Sequence, residues 1–376
     1  HRFYVFLLLL AFTPVIAQAQ TRGMDMDDPV QEMAEEKEKR DNRNPYDLPP
    51  YNIGDITAFG EIKTYSVDER DTLHDIARHF ALGFVELRAA NQGVDTWAPV
   101  PGQNMTLPLF HILPRAPQNG IIINLAEMRL YYFDKEGEVP KTFPIGIGRE
   151  GLETPLGQTS VVRKKEGPTW TPTPRMREEN PALPTSVGPG AANPLGTHAL
   201  YLGWPTFLIH GTNKPSGIGR RVSSGCIRML PEHITQVFAA VPSGTPVTVV
   251  DQPIKSAMVN GELYLEVNPD GEDVGDIELY GEYKTPPLAA EAPLPEGLKH
   301  VIRTAIGDKD VTVDWEAVRQ VYVEKKAYPV AVGREVQADA VSEETVQKLE
   351  PAIQDNADIA PAPKVKRVTP PRSMNR

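Results

Sequence analysis

The rhythm of apolar and polar positions changes several times along this chain, and each change marks a unit. Residues 3–12 form an unbroken apolar run behind Arg2, closed by Ala17-Gln18-Ala19, the small-x-small spacing of a secretory cleavage site. Ten apolar residues fall well short of the ~20 that a membrane span needs, so residues 1–19 are expected to be a signal peptide. Residues 20–60 are acidic, carry Pro45, Pro49 and Pro50, and keep no apolar period, as a solvated linker would.

Between 61 and 109 the pattern predicts strand, helix, helix, strand. Tyr65 and Val67 alternate as in a strand, and Leu73, Ile76, Ala77 and Phe80 share one face of a helix that Asp71 or Thr72 can cap. A second helix carries Phe84, Leu87 and Ala90 and stops near Asn91, Gln92 and Gly93. Met105 and Leu107 supply the closing strand.

From 116 to 251 the signals are those of a β domain. Apolar, β-branched or aromatic runs at 121–125 and 129–133 flank Ala126-Glu127-Met128 and predict a hairpin. Residues 143–147, 159–162, 200–202, 207–209 and 245–249 add short strands between Gly and Pro turns, which argues a sandwich or a barrel. One helix interrupts them, opened by Pro231 and ending before Pro242, Ser243 and Gly244. Residues 252–333 are expected to form a small α+β unit with a strand at 262–267 and a helix at 314–325, and 334–376 an Ala-, Pro-, Glu- and Lys-rich disordered tail. The fold class is therefore mainly β.

Composition narrows the partners. A net charge of -11 argues against nucleic acid, and 37 prolines in 376 residues, about twice the usual ~5% share, argue against a helical bundle. The one cysteine, Cys226, cannot form an internal disulfide, although an exported chain usually uses cysteines in pairs. An isolated cysteine is most often a small buried apolar residue, so its neighbours decide the matter.

Those neighbours favour chemistry. His210 stands where the apolar residues Phe207, Leu208 and Ile209 give way to Gly211 and Thr212. Sixteen residues later comes Cys226, inside Ser223-Ser224-Gly225-Cys226-Ile227-Arg228-Met229. A thiol attacks only as it loses its proton, and imidazole is the usual acceptor at neutral pH. The small residues Ser224 and Gly225 permit a tight turn whose N–H groups, with that of Cys226, could converge on the oxygen of a tetrahedral intermediate. In extended backbone Cys226 and Arg228 share a face while Ile227 points into the core, which sets a cation beside the nucleophile, able to favour thiolate and hold a carboxylate. Trp204 and Tyr201 could wall the cleft for a peptide, and Ser223 and Thr212 could bind it. The histidines show no metal-ligand spacing, and no cofactor or metal is expected.

The His-Gly-Thr segment followed by Ser-Ser-Gly-Cys-Ile-Arg-Met is similar to the signature of L,D-transpeptidases of the YkuD family. Thr154-Pro155-Leu156-Gly157, Asn193-Pro194-Leu195-Gly196 and Arg129-Leu130-Tyr131 support it. Many members have histidine where this chain has Ser224. Residues 61–109 resemble a LysM module at Tyr65, Val67, Asp71-Thr72-Leu73, Ile76-Ala77, Leu87, Asn91, Gly102 and Leu107-Pro108, with Arg70 where the module usually has glycine. Together these resemblances imply a periplasmic enzyme with a β-sandwich catalytic domain, acting on peptidoglycan stem peptides and held to glycan strands by the LysM module. Cys226 would form an acyl-enzyme with a tetrapeptide stem and release D-alanine, with His210 as base and the Gly211 carbonyl orienting it. An amine of a second stem, or a lysine of an outer-membrane lipoprotein, would take the acyl group. The residues leave open a hydrolase with the same site, an L,D-carboxypeptidase or endopeptidase, and a non-catalytic wall-binding protein.

Overall fold

The computed structural model describes residues 57–134, 139–284, 288–289 and 291–336. The expected signal peptide, nearly all of the linker and all but the first residues of the tail lie outside these residues. Among the described residues no helix is long and apolar enough to cross a membrane.

The first unit is a two-stranded antiparallel sheet, β1 (Ala58–Ser66) on β2 (Asn104–Ile112), enclosing α1 (Leu73–His79) and α2 (Phe84–Ala90). Thr72 caps α1 by accepting from the Asp75 N–H, and the Glu86 carboxylate accepts from the Gly83 N–H at the start of α2. Leu73, Ile76, Ala77, Phe84 and Leu87 are buried on the inner faces, as their helical spacing predicts. Asn91 joins the second helix to the sheet: its amide donates to the carbonyls of Leu87 and Thr106 and accepts from the Thr106 N–H. The unit is three residues longer at each end than the pattern suggests. Phe59 supplies a reason, because it packs edge-on against Tyr131 of the next unit and holds the start of β1 in place.

The second unit is mainly β. Its strands are β3 (Gly120–Asn124), β4 (Arg129–Phe133), β5 (Lys141–Pro144), β6 (Ile147–Gly148), β7 (Gly157–Glu166), β8 (His198–Leu202), β9 (Leu208–His210), β10 (Arg221–Ser223), β11 (Ile227–Arg228) and β12 (Pro246–Val250). Eight of them form one curled sheet in the order β11-β9-β8-β7-β12-β3-β4-β5, while β10 and β6 pair separately. The curl is made by β7. Its first residues pair with β12, its last with β8, and the register slips between Val161 and Arg163 where it passes from one half to the other. Strands that switch sheets through a bulge make the corners of sandwiches. Ile121, Ile123, Val247 and Val249 of one half share a core with Leu200, Leu202, Ile209 and Ile227 of the other. The expected hairpin is present as β3–β4 and the expected helix as α4 (Pro231–Ala240); a shorter helix, α3 (Pro174–Glu179), has no apolar face and escapes the pattern.

The third unit is an antiparallel sheet of order β13-β14-β16-β15, from Ile254–Val259, Glu262–Val267, Val330–Glu335 and Val311–Val313. The helices α6 (Glu296–Ile306) and α7 (Trp315–Glu324) cover it around Leu263, Leu265, Leu298, Ile302, Val318 and Val332. Asp314 caps α7, within the helix expected at 314–325. The tail was expected to start at 334, but Arg334 and Glu335 complete β16 and pair with β14 and β15. The helix α5 (Gly271–Tyr280) leaves this sheet: Val274 and Ile277 join the core of the first two units.

A buried charge cluster ties the three units together. Lys255 Nζ donates to the Ile112 carbonyl (2.6 Å) and to Glu127 (2.8 Å), and pairs with Glu266 (2.9 Å). Glu127 also accepts from Asn124 and Tyr131, and Glu266 from the Ile112 N–H and Asn268. All three charged groups are buried, so Lys255→Ala would leave two carboxylates facing each other without their cation. The expected cost is about 3–5 kcal/mol, read as a lower midpoint in urea denaturation, with Lys255→Met no better because it restores bulk without charge.

Candidate active site

Two short parallel strands build the site. In β9 and β11, Ile209 pairs with Ile227 and His210 with Arg228. Both isoleucines are buried in the core, so alternation sends His210, Arg228 and Cys226 to the opposite face. Cys226 precedes Ile227 and therefore lies beside Leu208, whose N–H is directed at the thiol. His210 is its diagonal neighbour on the same face of the sheet.

Cys226 is half-buried, and its thiol points to the Thr206 carbonyl at 3.4 Å. Burial pushes the thiol above its ordinary pKa, against the opposing pull of the Leu208 N–H and Arg228. Arg228 pulls in the direction expected of it, toward thiolate, but burial is the larger influence on the thiol. His210 is buried, with Nδ1 2.6 Å from the Gly211 carbonyl. A carbonyl only accepts, so Nδ1 carries the proton and Nε2 the lone pair. Burial pushes the imidazole down to about 4, helped by Arg228 and opposed by the Gly211 bond, so it is neutral at pH 7.

The turn that presents Cys226 is fixed from three sides. Ser223 Oγ donates to the Cys226 carbonyl (2.6 Å) and accepts from the Gly225 N–H (3.1 Å). Thr154 donates to the Gly225 carbonyl at 2.8 Å. Gly225 has φ +100°, and a Cβ there would lie 2.8 Å from the Phe207 ring, so no other residue fits. The motif around Asn193 serves the histidine. Asn193 is fully buried, its amide donates to the carbonyls of Pro168, Val187 and Gly188, and Gly196 lies directly on the backbone of Gly211 and Thr212.

Two expected substrate contacts are not placed for that role. Thr212 is buried, its hydroxyl accepting from the Lys214 N–H, and Ser223 is buried in the turn just described. Both hydroxyls satisfy local backbone. The Gly225 N–H, expected in the oxyanion hole, is likewise engaged by Ser223, which leaves Ser224 and Cys226 for that purpose. Arg228 is half-buried near Arg149, whose N–H bonds the Ser223 carbonyl and whose guanidinium meets Glu179 of α3. Trp204 meets Phe207 edge-on in the β8–β9 hairpin, and Tyr201 lies in β8 beside Leu208. His198, in β8, packs against Phe238 of α4 with the two rings tilted at 51°. Sequence reasoning missed Thr206, whose carbonyl receives the thiol; its φ of +68° in a residue other than glycine has no sequence signal beyond the preceding Pro205.

A thiol, a neutral imidazole with a free lone pair, and a guanidinium on one face of a curled sheet form a site suited to acyl transfer through a thioester. The matches agree with that class. The family model for the YkuD L,D-transpeptidase catalytic domain matches residues 118–249. The Escherichia coli (strain K12) protein named "Probable L,D-transpeptidase ErfK/SrfK" is 42% identical over 231 residues, 59% of this chain and 73% of the relative. Its namesake in Salmonella typhimurium is 36% identical over 296 residues, 76% of this chain and 90% of the relative, and the E. coli "Probable L,D-transpeptidase YcfS" is 41% identical over 244 residues, 62% and 75%. The chain belongs to the YkuD family of L,D-transpeptidases.

Proposed function

We propose that the chain is a periplasmic peptidoglycan L,D-transpeptidase in which Cys226 is the nucleophile and His210 the general base. The single observation that carries the assignment of roles is the His210 Nδ1 bond to the Gly211 carbonyl, which leaves Nε2 as a base on the thiol's face of the sheet. In the first half-reaction Nε2 takes the Cys226 proton as sulfur attacks the carbonyl at the L centre of diaminopimelate. The N–H groups of Ser224 and Cys226 receive the oxyanion, and the imidazolium returns the proton to the D-alanine nitrogen as the amide bond breaks. In the second, an amine attacks the thioester, loses its proton to His210 and expels the thiolate, which is reprotonated. Arg228, with Tyr201 and Trp204 along the cleft, holds the donor peptide. The unit from Ala58 to Ile112 serves as a LysM module on the glycan, a reading supported by its strand-helix-helix-strand order.

Purified protein given a disaccharide tetrapeptide and a second stem, or a lysine peptide from an envelope lipoprotein, should release D-alanine and form a new amide, visible by mass spectrometry. D-Alanine release with water as the only acceptor would make it a carboxypeptidase instead. No release with any acceptor would overturn the reading.

A further inference from the structure

The register that sets Cys226 and His210 on one face carries a row of side chains further across the sheet. In β7, Val161 is buried in the core and pairs with Leu202. Then the register slips: Val162 bulges outward, 56% exposed, Arg163 pairs with Tyr201 and Lys165 with Ala199. Simple alternation would send Arg163 into the core with Val161. The bulge sends it to the face of Tyr201, Leu208 and Cys226, a re-aiming that bulges beside active sites perform.

Arg163, Tyr201, Leu208 and Cys226 thus form one row across four neighbouring segments. At about 4.8 Å per strand, the row is about 14 Å long between its end backbones. The Arg163 guanidinium lies over the Tyr201 ring, 3.7 Å from its centre, which carries the charge one strand spacing nearer the thiol, to about 10 Å. Arg163 is exposed and has no hydrogen bond or ion pair with another described residue, whereas Arg78, Arg149, Arg175 and Arg334 each meet a carboxylate. Stacking fixes the plane of a guanidinium and leaves its N–H edge free for a carboxylate. The next row runs Lys165, Ala199, His210 and Arg228, and its middle is closed by the buried Ala199 and His210, so a ligand crossing the sheet to the thiol is guided along the Arg163 row.

We propose that Arg163, stacked on Tyr201, forms a carboxylate-binding subsite for an anionic donor peptide, gripping a carboxylate about 10 Å from the carbonyl that Cys226 attacks. This rests on the transpeptidase reading for the identity of the peptide, an acidic stem.

Equilibrium binding tests the subsite apart from the chemistry. The full chain carrying Cys226→Ala is titrated calorimetrically with a tetrapeptide stem whose carboxylates are free, and with versions amidated one position at a time. Arg163→Ala is expected to weaken the free-acid peptide about tenfold and one amidated version by less than about twofold, with Arg163→Lys recovering only part of the loss. Equal weakening of all peptides, no weakening, or no binding at millimolar peptide would overturn the subsite. Arg163→Gln is the second variant if the alanine protein has a lower thermal midpoint. Turnover separates the two claims. Arg163-dependent binding without D-alanine release from wild type would sink the transpeptidase reading and leave the subsite standing; D-alanine release with no Arg163-dependent discrimination would sink the subsite alone.

Discussion

Cys226→Ala is expected to stop D-alanine release, a loss of about 10⁴-fold or more, with the thermal midpoint unchanged within a degree or so. The size follows from the site's electrostatics. The imidazole is held down to about 4 and the thiol is pushed up by burial, so the neutral thiol and imidazole are favoured over a free thiolate-imidazolium pair. Proton transfer must therefore accompany bond formation to the substrate carbonyl. That requirement makes Cys226→Ser an informative companion. A hydroxyl is far less acidic than a thiol, and so weak a base will not activate it, so the serine protein should be as inactive as the alanine one. Serine activity within about 100-fold of wild type would show that the base is stronger than its surroundings imply. The small stability effect expected of the alanine variant rests on the half-buried thiol, whose partners among the described residues are the Thr206 carbonyl and the Leu208 N–H.

The common face of His210, Cys226 and Arg228 was legible because strand alternation is a strong rule: with Ile209 and Ile227 inside, the three share the other side. The hairpin at β3–β4 and the cap of α1 were legible from local signals as well. Ser223 and Thr212 were not. Their hydroxyls look equally suited to a substrate or to a turn, and only the folded positions of Cys226, Gly225 and Lys214 decide between the two. The helix α5 escaped because its buried residues, Val274 and Ile277, pack against another unit rather than their own sheet. Nor does any residue pattern announce the slip at Val162, since Val-Val-Arg-Lys-Lys reads equally well with or without a bulge. Thr154 and Asn193 stood in recognisable motifs, but that one anchors the cysteine turn and the other the loop under Gly211 depends on contacts between segments distant in sequence.

His210→Gln is expected to lower kcat/KM about 10²–10⁴-fold, since glutamine can fill the space and bond the Gly211 carbonyl but cannot take a proton. The pH profile of the wild type gives the sharper measurement. As the proposed base His210 works when neutral, and burial holds it down to about 4 rather than the usual 6.5 or so, so the acid limb of kcat/KM should fall near pH 4 and activity should be flat between about pH 5 and 7. A limb near 6.5 would mean that the imidazole is less desolvated in the working enzyme than its burial implies. Arg228 can be separated from burial in the same experiment. Its charge also pushes the imidazole down, so Arg228→Gln should move the acid limb upward, toward neutral pH, while further raising the thiol that it partly offsets. Those two movements oppose each other in their effect on proton transfer: a more basic histidine helps, a less acidic thiol hinders. Because Arg228 also holds the donor peptide in the proposed mechanism, the variant's kcat at saturating peptide and pH 7 is the rate that reports which partner limits transfer, and its acid limb reports how far the guanidinium, rather than the surrounding core, keeps His210 neutral.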